Sequence, residues 1–182
     1  MSGCLKSSNS WEASVINVTR FDGEKFQMKA TDIIRVRQTT LNDGPNGKSR
    51  IDDAVYETNL YNDLAKDVAT ATSVEVKTFI SLTQPGGQPV WFDGAKAKGP
   101  TFVSDAQKTP DWIGKINSAL KIGGKVQYVK NTPQEVYDAI KAQGGVAIPP
   151  INNNWNDVPP DVDGNGKPLE VWDAGLYRST GV

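Results

Sequence analysis

The chain has 182 residues, 37% of them hydrophobic, and a formal net charge of -1 from 20 basic and 21 acidic side chains, enough apolar material for one medium core or two small ones. It holds no histidine and one cysteine, Cys4, which excludes an intramolecular disulfide, Ser-His-Asp and Cys-His nucleophiles and a histidine-held zinc water. The even charge balance gives no electrostatic footprint for nucleic acid or an anionic membrane, no apolar run reaches the roughly 18 to 20 residues of a membrane span, and the polar N-terminus lacks a secretory apolar region, so a cytoplasmic site of synthesis is expected.

Residues 1–12 read as an irregular arm ending at Trp11, in which Cys4 lies among Ser, Gly and Asn with no base beside it and reads as an exposed thiol. Alternation of Val15, Asn17 and Thr19 against Ile16 and Val18 predicts a strand. Asp22-Gly23 then signals a two-residue hairpin turn into a return strand at 26–30. Residues 33–39 predict a further strand, 41–48 a Gly/Pro loop, and 50–58 a fourth strand around Val55 and Tyr56. Leu60, Leu64 and Val68 are spaced as the apolar side of a short helix.

The plan then begins again. Ile16/Ile80, Val18/Leu82, Thr19/Thr83, Gly23/Gly87, Phe26/Val90, Met28/Phe92 and Ala30/Gly94 match at an offset of 64, and self-similarity at a fixed period defines the folding unit. The second copy predicts a strand at 74–82, a turn at Pro85-Gly86-Gly87, a return strand at 90–92 and a small-residue stretch at 93–100 before a segment at 101–104. A hairpin of 116–122 and 126–129 is expected about Gly123-Gly124. The strongest helix signal follows: Thr132 as N-cap, Pro133 at the first position, Glu135 completing a capping box, Val136, Ala139 and Ile140 as the apolar face, and Gly144-Gly145 as the stop. Tyr56/Tyr128, Leu64/Val136 and Val68/Ile140 match at an offset of 72, which predicts eight extra residues in the second copy's central loop.

Residues 146–182 change character. Pro149, Pro150, Pro159 and Pro160 lack backbone donors and predict an extended arm, in which residues 169–172 or Leu176-Tyr177 add a strand or an anchor. The expected class is therefore α+β, predominantly β: an arm at 1–12, two tandem antiparallel β-hairpin/short-helix modules at 13–72 and 73–145, and the C-terminal arm.

One stretch has the spacing of a metal loop. Asp161, Asp163 and Asn165 stand at positions one, three and five, Gly166 at six and Glu170 at ten, an oxygen set suited to calcium that resembles the short excalibur-type variant of the EF-hand loop. Pro168 and the Pro159-Pro160 pair leave no room for flanking helices, so a plain surface turn is the preferred reading and calcium the alternative. Asp105, Asp111, Glu135 and Asp138 are carboxylates that nothing in the sequence converges, and the paired glycines match no phosphate-binding pattern. Trp91 falls within the repeat as a core candidate. Trp11, Trp112, Trp155, Trp172 and Tyr177 fall in or beside irregular segments and read as interface anchors, because large amphipathic aromatics are enriched where straps meet surfaces.

The order hairpin, strand, Gly-turn, strand and short helix, with Gly-Gly-Lys-Val-Gln-Tyr-Val-Lys running into Asn-Thr-Pro-Gln-Glu-Val, resembles the small FlbD-type fold of flagellar proteins and LytTR-like β units. It is also similar to short β-rich accessory proteins encoded among tailed-phage structural genes. That resemblance implies a non-enzymatic virion component, such as a capsid decoration, connector or tail protein, without a cofactor, that assembles with itself and with other virion proteins. The even charge balance and the lack of a basic surface predict no nucleic-acid or membrane partner. The alternative is a ligand-binding module, calcium-dependent through residues 161–170.

Overall fold

The computed structural model describes residues 15–54, 59–104 and 115–150 and the backbone of Val171–Trp172. Strands β1 (Val15–Thr19) and β2 (Lys25–Lys29) form an antiparallel hairpin, a 3-10 turn (Ala30–Asp32) follows, and then come β3 (Ile33–Gln38), β4 (Ser49–Asp53), β5 (Asn59–Tyr61) and helix α1 (Ala65–Glu75). The same order recurs as β6 (Phe79–Thr83), β7 (Pro89–Asp93), a 3-10 turn (Gly94–Lys96), β8 (Ala97–Thr101), β9 (Ser118–Ile122), β10 (Lys125–Val129) and α2 (Pro133–Ala142). Two short strands, β11 (Val146–Ala147) and β12 (Val171–Trp172), complete an α+β fold that is predominantly β.

Both copies turn their hairpins alike. In the first, the Gly23 N–H donates to the Arg20 carbonyl and the Arg20 N–H to the Glu24 carbonyl, each at 2.8 Å; in the second, Gly87 donates to Gln84 and Gln84 to Gln88 at the same distance. These are three-residue loops with glycine at φ 93° and 91°, not the two-residue turn expected at Asp22-Gly23. The two-residue geometry appears instead between β9 and β10, where Gly123 and Gly124 both have positive φ and Ile122 pairs with Lys125.

A second tie closes each module. The Thr19 N–H donates to Asp63 Oδ2 at 2.6 Å while the Asn62 N–H donates to the Thr19 carbonyl at 2.8 Å; the counterparts are Thr83 N–H to Asn131 Oδ1 at 2.8 Å and Lys130 N–H to the Thr83 carbonyl at 2.7 Å. The hairpin's first strand is thus pinned to the residues that leave the last meander strand, just before the helix. These ties place Asp63 opposite Asn131, an offset of 68, so the second copy carries four extra residues where the sequence match at 72 led to an expectation of eight.

The cores repeat too. Ile16, Val18, Met28, Ile33, Ile51, Tyr61 and Val68 fill the first, and Ile80, Leu82, Phe92, Ala97, Leu120, Val129 and Val136 occupy the corresponding places in the second. Each core lies between a hairpin, a three-stranded meander and one helix, and among the described residues the members of both fall within 16–147. A third, smaller cluster of Val103, Ile116, Ala119 and Tyr128 covers residues of β9 and β10 with the chain that joins β8 to β9.

Some expectations are corrected. Residues 74 and 75 end α1 and do not open a strand; β6 starts at Phe79. The alternation around Val74 and Val76 mimics a strand, but Thr70, Thr72 and Ser73 return their hydroxyls to the carbonyls of Lys66, Val68 and Thr70, and the small face of Ala65, Val68, Ala69 and Thr72 is buried. Leu60 belongs to β5 and Leu64 precedes α1. The small residues 97–100 form β8, because a strand crosses Leu120 so closely there that a Cβ on Gly99 would lie 2.9 Å from the Leu120 Cβ. Val55 and Tyr56 lie outside the described residues.

The helix signal at Thr132 holds as read. The Thr132 side chain accepts from the Glu135 N–H, the Thr132 N–H donates to Glu135 Oε2 at 2.7 Å, and Gly144 at φ 76° follows the last turn. Gly145 then passes against the Gly94 and Ala97 carbonyls, with no room for a Cβ.

Asp63→Asn is expected to preserve stability, since an amide oxygen already fills this role at position 131. Asp63→Ala and Asn131→Ala should each cost about 1 kcal/mol in urea unfolding. Unequal losses at the two positions would contradict the equivalence of the pins.

Candidate functional site

The second hairpin does not stay in its own module's sheet. β7 pairs antiparallel with β3, through Arg35↔Phe92, Val36↔Trp91 and Arg37↔Val90, to give a five-stranded sheet of order β5-β4-β3-β7-β6. The remaining strands form a second five-stranded sheet, β11-β8-β9-β10-β12, and β1-β2 stands as a two-stranded sheet. Hairpin β6-β7 therefore serves both cores: Ile80, Leu82, Val90 and Phe92 enter the second, while Phe79 and Trp91 pack into the first. Trp91, a core candidate in the sequence, is half-buried at this seam.

The seam carries buried charge. A bulge in the β3-β4 ladder between Ile33 and Arg35 shifts the strand's phase, so Ile33 and Val36 both reach the first core. Arg35, fully buried, donates through Nε to Asp52 Oδ2 at 2.7 Å and through Nη1 to Gln127 Oε1 at 2.6 Å, 92 residues away on β10. At the end of the same strand, Arg37 grips Asp43 with Nη1 and Nη2, each at 2.8 Å; Thr40 adds its N–H at 2.6 Å and its hydroxyl at 2.8 Å, and Arg50 adds Nη1 at 2.9 Å. Burial alone pushes the Asp43 carboxyl up, but Arg37, the Thr40 amide and Arg50 outweigh it and hold the group well below the usual carboxylate range. Burial likewise pushes the Tyr61 and Tyr128 hydroxyls up.

The edges of the sheets differ from this inner joint. β2, the counterpart of β7, pairs with β1 alone among the described residues. Where the second hairpin turns Phe79 and Trp91 onto the neighbouring core, the first exposes Val15 and a Gln27 amide that donates to Asn17 Oδ1 at 3.2 Å. β8, the counterpart of β3, carries Pro100, which has no N–H, and its edge at Lys98 and Gly99 is taken by β11 in parallel pairing, reinforced by the Ile148 N–H on the Gly99 carbonyl at 2.6 Å. On the far side of that sheet, β10 pairs in parallel with β12, Val126↔Val171 and Gln127↔Trp172.

Of the anchors expected from the sequence, the backbone of Trp172 is placed, in β12; Trp11, Trp112, Trp155 and Tyr177 lie outside the described residues. So do Asp105, Asp111 and the loop residues Asp161, Asp163, Asn165 and Glu170. Glu135 caps α2, and Asp138 on the same helix accepts from Gln134 at 3.0 Å, so these two carboxylates serve the helix. Among the described residues no group of three or more Cys, Asp or Glu side chains is placed to hold a metal ion, and no helix is long and apolar enough to cross a membrane. No protein-family model, no curated protein and no solved structure matches the chain.

The sequence reading missed the ionic seam. Its signal was present in Ile33-Ile34-Arg35-Val36-Arg37, where a period of two sets both arginines apart from Val36, ahead of Asp43, Asp52 and Asp53. Nothing in that pattern points to Gln127.

Removing the Asp43 charge leaves two guanidiniums without their shared carboxylate, so Asp43→Asn should cost about 3 kcal/mol or more in urea unfolding. Because the folded protein holds this carboxyl below its unfolded value of about 3.9, its contribution is complete well above that pH, fades as the pH falls below it and is gone once the pH has passed the folded value. Denaturation midpoints taken between pH 6 and pH 2.5 should drop steeply for the natural chain and less steeply for Asp43→Asn. Parallel acid limbs would contradict this.

Proposed function

We propose that the chain is a non-enzymatic structural protein, a homo-oligomeric building block of a tailed-phage virion, whose modules are platforms and whose C-terminal arm makes the joints. One observation carries the reading: equivalent positions in the two modules are core residues, turn glycines and the Asp63/Asn131 pins, so what is repeated is scaffold. Buried ionisable groups follow the same rule, since Arg35, Arg37, Asp43 and Asp52 are engaged in tying strand to loop and module to module.

The parts that are not repeated point outward. Residues Val171–Trp172 add to the sheet as β12, and strand addition is a common way for one chain to hold another. Near-zero net charge favours close packing of many copies, because it limits repulsion between them.

Light scattering of the full chain should give an oligomer mass, and a chain ending at Ala147, which keeps both cores, should fall toward the monomer. Monomers in both preparations would overturn the reading, as would turnover of any substrate by the purified chain.

A further inference from the structure

We infer that the β10 edge at Val126 and Gln127 is an acceptor for the C-terminal arm of a second copy of this chain, so that copies are joined by exchange of β12. This rests on the homo-oligomeric reading above and names its contact.

Three observations carry it. First, β11 and β12 flank the same sheet at opposite edges, in the order β11-β8-β9-β10-β12, and both run parallel to the strand each meets. A chain that supplies its own β12 has to leave one edge, cross three strands and arrive at the other in the same direction. With strands about 4.8 Å apart the crossing is about 19 Å. The 23 residues at 148–170 that make the connection can span about 75 Å when extended, and five of them are proline, a composition whose general preference is extension rather than return. Such a connection is long enough to reach the same edge of a neighbour.

Second, exchange needs no new interface. The ladder Val126↔Val171 and Gln127↔Trp172 is the same whether β12 arrives from its own chain or from another, and exchange of an identical element is a low-cost route to oligomers. Third, two other positions are unsuited to a second copy. β8 is closed by Pro100 and β11, and β2 places Lys25 and Lys29 on either side of Gln27, so two copies meeting antiparallel about Gln27 would set lysine against lysine.

Cysteine pairing tests it directly. In a Cys4→Ser background, one chain carries Val126→Cys and another Val171→Cys; neither can form the 126–171 disulfide within itself. After mixing, unfolding, refolding together and mild oxidation, exchange predicts a covalent species at twice the 19.7 kDa chain mass, with the 126–171 linkage found by peptide mapping. No such species, while the chain carrying both substitutions closes its disulfide internally, overturns the exchange. If the natural chain is then still an oligomer by light scattering, the homo-oligomeric reading stands without it; if it is a monomer, both fall. A second measurement avoids cysteines: a tagged chain ending at Ala147, with its β10 edge vacated, should be captured by the full-length chain and should not self-associate. Self-association of the shortened chain overturns the exchange too, since assembly would then proceed without the arm.

Discussion

The pairing of β7 with β3 is the constraint on which the rest of the molecule depends. A hairpin that stays within its own module has one face on a core and the other in water, and two such modules would be beads on a string. Here β7 spends its outer edge on the preceding module, so Val90 and Phe92 build one core while Trp91, between them in sequence, packs on the other. The period of two in a strand thus becomes the link between two folding units. The phase shift at the β3 bulge belongs to the same arrangement: it keeps Ile33 and Val36 on the first core and frees Arg35 to meet Gln127.

A joint of this kind propagates if its two halves recur at the ends, and they do not. Against Phe79 and Trp91 on the second hairpin stand Val15 and Gln27 on the first; against Arg35, Val36 and Arg37 on β3 stand Gly99, Pro100 and Thr101 on β8. Repeat arrays need terminal units with polar outer faces, and the first hairpin has one, with Asn17 and Gln27 bonded to each other there. Among the described residues the seam chemistry lies between the two modules and is replaced on the first hairpin and on β8.

How much of this was legible depended on the range of the interaction. Hairpins announced themselves through Gly23, Gly87 and Gly123-Gly124, and α2 through Thr132, Pro133 and Glu135, because a positive φ or a cap needs only neighbours in sequence. Helix α1 was half hidden: its threonines and serine bond back into the helix, and Val74 and Val76 mimic a strand. The offset between the copies was misjudged by four residues since Tyr128 resembles Tyr56, while the structural register is fixed by Asp63 and Asn131, which look like ordinary polar loop residues. The ionic seam was the least readable part. Asp43 lies six residues from Arg37, but a loop turned inward over buried arginines has no local signature, and Gln127 enters from 92 residues away.

Gln127 also explains why the edge beside it is fit to receive a strand. Its side chain accepts from Arg35 and donates to the Tyr128 carbonyl at 2.9 Å, so β10 is held from the module seam before anything is added on its other side. A fixed edge lowers the ordering cost of an incoming segment, which falls on the segment alone. A ladder of two residue pairs is nevertheless weak by itself. In the exchange proposed above its strength would come from number: in a closed ring of copies each joint would be made at the high effective concentration set by the others, and modest ladders would add to a stable whole. A charge-balanced chain with two modules joined through β3 and β7 and a short terminal ladder on β10 would suit that proposed regime better than a solitary binding site.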